Sequence, residues 1–138
     1  MIPKFRAWDK LGKEMHKVSA IDFSSKGARI IRLAGVQSNG KGDHKRWHSS
    51  VELMQSTGLK DVYGKEIYDG DIAEFKYPHD KRFKEIGIIT HSAEKACFVI
   101  KMIRDTIQEF ELYRGVANSY LKVIGNKFDN PELLEESE

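Results

Sequence analysis

Two stretches of the chain combine residue types that meet phosphate and bases. Residues 41–48 read Lys-Gly-Asp-His-Lys-Arg-Trp-His and residues 76–84 read Lys-Tyr-Pro-His-Asp-Lys-Arg-Phe-Lys. The candidate contacts are Lys41, Lys45, Arg46 and Trp47 in the first, and Lys76, Tyr77, Lys81, Arg82 and Lys84 in the second. Cations offer phosphate contacts and aromatic rings offer stacking faces, the combination used to hold single-stranded nucleic acid. Two other readings stand beside that one. Such a stretch is also what a solvated surface loop looks like, with Trp47 and Phe83 tucked beneath it. It equally suits a protein partner, because Trp, Tyr and Arg concentrate binding energy at interfaces.

Other chemistry finds fewer footholds. Gly64-Lys65 lacks the upstream glycine and the following Ser/Thr of a phosphate-binding loop. There is no Gly-x-Ser-x-Gly elbow. The five histidines (His16, His44, His48, His79 and His91) show no helical zinc-hydrolase spacing. Cys97 is the one cysteine, so it forms no internal disulfide, and its apolar neighbours predict a buried, inert thiol. Asp9, Asp69 and Asp71 are candidate oxygen ligands for a hard cation. The alternative is that Asp61, Asp69 and Asp71 bond turn amides beside Gly58, Gly64 and Gly70. We therefore expect no catalytic, metal or cofactor site, and a binding module rather than an enzyme.

These residues need a scaffold, and the pattern predicts strands. Short apolar or alternating runs recur at 4–8, 15–23, 28–33, 51–57, 66–68, 71–77, 85–91, 96–102, 106–113 and 120–128, separated by polar or glycine-containing breaks. Residues 35–50, with three glycines among Ser, Asn and Asp, are the most loop-like stretch. Residues 92–95 predict a hairpin. Ala96, Val99, Ile100, Ile103, Ile107 and Phe110 also fit a helical face, but β-branching and the alternation of Ala96, Phe98 and Ile100 favour strands. Asn130-Pro131-Glu132 predicts a short C-terminal helical turn over Pro131–Leu134. The expected fold is mainly β: a single domain over residues 1–134, built as two small sheets or a partly open SH3-like barrel, with an acidic tail at 135–138.

Composition sets the outer bounds. The 138 residues are 40% hydrophobic and 32% charged, which suits one globular domain, and no run is long and apolar enough to span a membrane. The N-terminal residues lack an apolar leader core. The formal charge of +2 hides an asymmetry: five of the 21 acids fall in residues 129–138, which hold no Lys or Arg, leaving residues 1–128 at +7. A basic body attracts polyanions by counterion release.

Three segments, in order, resemble the YopX family of phage and prophage proteins. They are Lys4-Phe5-Arg6-Ala7-Trp8-Asp9, residues 54–72 with Asp61-Val62-Tyr63-Gly64-Lys65-Glu66-Ile67-Tyr68-Asp69-Gly70-Asp71-Ile72 at their heart, and residues 123–134 beginning Val123-Ile124-Gly125-Asn126. The resemblance implies a β-rich, phage-encoded protein of unknown function in the host cytoplasm, and it transfers no catalytic residue. The two basic stretches fall outside the shared segments. The expectation is an accessory binding or regulatory module whose partner is a host or phage protein, with nucleic acid as the alternative, no membrane and an open oligomeric state.

Overall fold

The computed structural model describes residues 3–25, 27–34, 44–75, 85–103 and 109–135. The chain divides into two compact units, Met1–Gln55 and Ser56–Glu138.

The first unit is an antiparallel sheet of four strands in meander order, with a fifth returning to pair beside the first. β1 (Phe5–Asp9), β2 (Glu14–Ser24), β3 (Gly27–Leu33) and β4 (His44–Trp47) are followed by a 3-10 turn, His48–Ser50, and by the first half of β5 (Val51–Lys60). Their spatial order is β4-β3-β2-β1-β5. Strand residues point alternately to the two faces of a sheet, and residues directly opposite one another share a face. Ala7 therefore stands with its partners His16 and Leu53 on the inner face. Ala7, Ile31, Leu33 and Val51 form the core there, packed by Val18, Ile21 and Leu53. β2 carries one extra residue between Val18 and Ala20. Such a bulge re-aims the side chains beyond it.

The second unit holds the rest of β5, then β6 (Glu66–Tyr68), β7 (Asp71–Phe75), β8 (Glu85–Ser92), β9 (Cys97–Met102), β10 (Glu109–Glu111), helix α1 (Arg114–Tyr120) and β11 (Leu121–Asn126), closing with a 3-10 turn at Pro131–Leu134. The main sheet runs β10-β9-β8-β7-β11, all antiparallel. Its core is larger: Ile67, Ala73, Phe75, Ile89, Ile100, Met102, Leu112, Ala117, Leu121 and Val123 are all buried. β5 belongs to both units, pairing with β1 through residues 51–55 and with β6 through residues 56–60.

The protein is thus mainly β, with two antiparallel sheets and, among the described residues, no closed barrel. The 92–95 hairpin forms between β8 and β9, with Ser92 opposite Cys97 and Ala96 at a φ of 54°. Among the described residues the helical alternative over 96–110 gives way to β9 and β10, with Val99 and Ile100 buried; residues 104–108 lie outside the described residues. Three differences from the sequence reading have physical causes. Gly58 does not end β5; it takes a φ of 79° inside the strand, where the β5–β6 register shifts. α1 forms at Arg114–Tyr120 because Ala117 docks in the core, although a seven-residue helix has little stability of its own. Cys97 opens β9 half-buried, beside the exposed turn, rather than enclosed.

Gly125 shows why a strand residue can need to lack a side chain. A Cβ there would collide with the Asn130 side chain, which folds back so that its Oδ1 accepts the Asn126 amide at 3.2 Å. This close approach occurs where the β11–β7 register slips between Val123 and Gly125.

Candidate functional site

Of the sequence candidates, Lys41 and residues 76–84 lie outside the described residues. The other three, Lys45, Arg46 and Trp47, stand in β4, so the loop-like stretch contains a strand. Its register against β3 is continuous, with Ile30 opposite Trp47, Ile31 opposite Arg46, Arg32 opposite Lys45 and Leu33 opposite His44. Four residues with two cations are a poor strand by propensity. Pairing along the whole of β4 is what holds them extended.

That register separates the three candidates. Ile31 is fully buried on the inner face, so its partner Arg46 faces inward. There the Arg46 Nε donates to the Asp9 Oδ1 at 3.0 Å. Asp9 is 2% exposed. The same oxygen accepts the Leu11 amide at 3.2 Å, and a Cβ on Gly12 would come within 2.8 Å of Asp9 Oδ2. Burial pushes the Asp9 carboxyl upward, but the Arg46 guanidinium and the Leu11 and Gly12 amides outweigh it and hold the group below the usual carboxylate range. Arg46 fastens β4 to the β1–β2 turn.

Lys45 and Trp47 face outward, as alternation requires. Trp47 is 49% exposed. Arg29 lies over its ring with the guanidinium carbon 5.5 Å from the centroid, and is itself oriented by donating Nε–H to Ser24 Oγ at 3.0 Å. His48 packs against the indole at 5.3 Å. Arg32 stands directly opposite Lys45 and reaches Asp22 at 3.7 Å. One strand further, Lys17 is exposed and stands opposite the half-buried Arg6 on the same face. Sequence reasoning missed Lys17, Arg29 and Arg32. Nothing local marks them; the signal is the pairing register, which no single segment contains.

The acidic residues of the second unit form a scaffold. Asp61 is 3% exposed, and its carboxylate accepts three amides at 2.9 Å each: Tyr63 and Lys65 on Oδ1, Val123 on Oδ2. Asp71 is fully buried and accepts the Tyr68 amide at 2.8 Å. Gly64 and Gly70 turn the chain beside them with φ of 80° and 88°. This is the turn-bonding arrangement, and among the described residues no three His, Cys, Asp or Glu side chains come together as a metal site.

Comparison with known proteins agrees with the architecture. A family model described as YopX protein matches residues 4–135. No curated protein matches the chain. Among solved structures, the chain is similar to the crystal structure of protein EF1440 from Enterococcus faecalis, with 29% sequence identity, a TM-score of 0.71, and coverage of 98% of this chain and 99% of that one.

Proposed function

The chain belongs to the YopX family, and on that premise we propose that it is a phage- or prophage-encoded accessory protein acting as a non-enzymatic binding or regulatory module in the host cytoplasm. The observation that carries this reading is Trp47: a large ring, half exposed, on the edge strand β4, held by Arg29 and flanked by Lys45. An exposed aromatic fixed in place before its ligand arrives loses little freedom on binding, which is what a recognition surface requires. The buried polar groups support the same reading. Asp9, Asp61 and Asp71 each direct a carboxylate at an arginine or at backbone amides, work that positions elements rather than reacting atoms. Among the described residues no helix is long and apolar enough to cross a membrane. The partner is a host or phage macromolecule.

A photo-crosslinking residue placed at position 45, in the full chain, tests the module. Irradiation in extracts of host cells with and without phage should give discrete adducts that disappear on Trp47→Ala. A control position in the exposed 93–96 turn should give none. Adducts of equal yield at both positions, or at neither, would sink the reading.

A further inference from the structure

We infer that the outer face of β2–β4 binds single-stranded nucleic acid, with Lys17, Arg32 and Lys45 meeting phosphates and Trp47, backed by Arg29, stacking a base. This deepens the binding-module reading and rests on it. The pairing register carries the argument. Lys45 and Arg32 are directly opposed cations, and so, on the same face, are Lys17 and Arg6. Like charges placed directly opposite across a strand pair destabilise a sheet. The Lys45–Arg32 pair is such a cost to the fold, and a polyanion lying across it relieves it.

Cations outnumber carboxylates on the outer face of β2–β4. The acids of β2–β4 are Glu14 and Asp22. Glu14 stands opposite Asp9, whose face is the inner one, so Asp22 is the single outward carboxylate against Lys17, Arg29, Arg32 and Lys45. Lys45 is exposed and has no ion pair among the described residues. Every residue invoked lies within the first unit.

The ring selects among polyanions. Arg29 covers one side of Trp47 and leaves it half exposed, so an incoming base completes a guanidinium–indole–base stack. The bases of a duplex are already stacked and paired, so a single strand gains most. An acidic peptide would meet the cations but has no base to stack, and makes the second arm of the test.

Fluorescence anisotropy of the full chain with labelled DNA and RNA single strands of about 12 nucleotides, their duplex, and a poly-glutamate peptide measures this directly. Single strands should bind more tightly than the duplex and the peptide. Lys17→Gln with Lys45→Gln should lower the slope of log affinity against log salt by roughly 1.4, two charges at about 0.7 each. Trp47→Ala should weaken binding by roughly fivefold or more, one stacked base at ~1–3 kcal/mol. The lysine variants change exposed residues only, and thermal melts should confirm that they fold. Single strands that fail to bind, or that bind equally well to all variants, overturn the inference, as does tighter binding of the peptide. The crosslinker at position 45 separates the two failures. Adducts sensitive to protease but not nuclease leave the module standing with a protein partner, whereas no adduct removes both.

Discussion

The two units handle charge in opposite ways. In Ser56–Glu138, Asp61 and Asp71 are turned inward and their oxygens are matched to backbone amides, so charge there serves to fix turns. In Met1–Gln55 the inward pair Asp9 with Arg46 performs that task, while Lys17, Arg29, Arg32 and Lys45 stand on the outer face, Arg32 and Lys45 directly opposed. Amide-bonded carboxylates over a large core make a rigid frame. Cations outnumbering carboxylates around an exposed indole leave the outer face of β2–β4 positively charged. On the proposed reading, stability and recognition fall to different stretches of one chain.

Disrupting the frame should produce the largest effects. Asp61→Ala removes acceptors from three amides at once. With hydrogen bonds to a charged group worth about 1.5–3 kcal/mol each, less the recovered desolvation of the carboxylate, the expected loss is on the order of 4 kcal/mol in denaturant unfolding. A loss under about 1 kcal/mol would mean that water replaces the carboxylate and that the frame is looser than its geometry.

In the first unit, Arg46→Met leaves Asp9 buried without its guanidinium and should cost about 2–3 kcal/mol, with β4 released first. Protection of the β4 amides in hydrogen exchange reads this locally, and retained protection would show that the β3 ladder alone holds the strand. pH gives the same contact a signature. The folded state holds the Asp9 carboxyl below its ordinary value of 3.8, so its contribution is present above that value and is lost as pH falls through the lower folded one. Melting temperature should drop on acidification below about pH 4, and Asp9→Asn should remove part of that drop. Identical acid limbs in the two proteins would detach the pair from acid stability.

The smallest effect sharpens the contrast most. Lys45→Glu converts an opposed pair with Arg32 into an attractive one and should raise stability by about 0.2–1 kcal/mol while abolishing single-strand binding. A destabilised variant would show that Lys45 supports the sheet, and the two units would then use charge alike.

The two units also differed in how much of them was legible beforehand. Strands such as β6 and β8, and the Pro131–Leu134 turn, announce themselves locally through alternation, β-branching or capping. The turn role of Asp61 was equally visible, because its glycines sit beside it in sequence. β4 was hidden, since the glycines, serine and asparagine of residues 35–42 masked four residues that depend on β3 for their conformation. The same dependence divided the candidate site. Lys45, Arg46 and Trp47 are neighbours in sequence and read as one cluster, yet alternation sends Arg46 to Asp9 and recruits Lys17, Arg29 and Arg32 from other strands in its place. Composition suggests a chemistry, and only register groups these residues on one face.

The Asp61–Val123 hydrogen bond joins residues 62 positions apart, and this matters while the chain is being made. At about 5–20 residues per second, the ribosome delivers Val123 roughly 3–12 seconds after Asp61. Throughout that interval the turn lacks its third amide partner and β7 lacks β11 along one edge. The strands that pair with β1 to β4 within the first unit have all been synthesised by Gln55. A nascent chain halted before β11 would therefore carry an open strand edge on β7, the form most exposed to chaperones, proteases and mispairing with its neighbours on the same message.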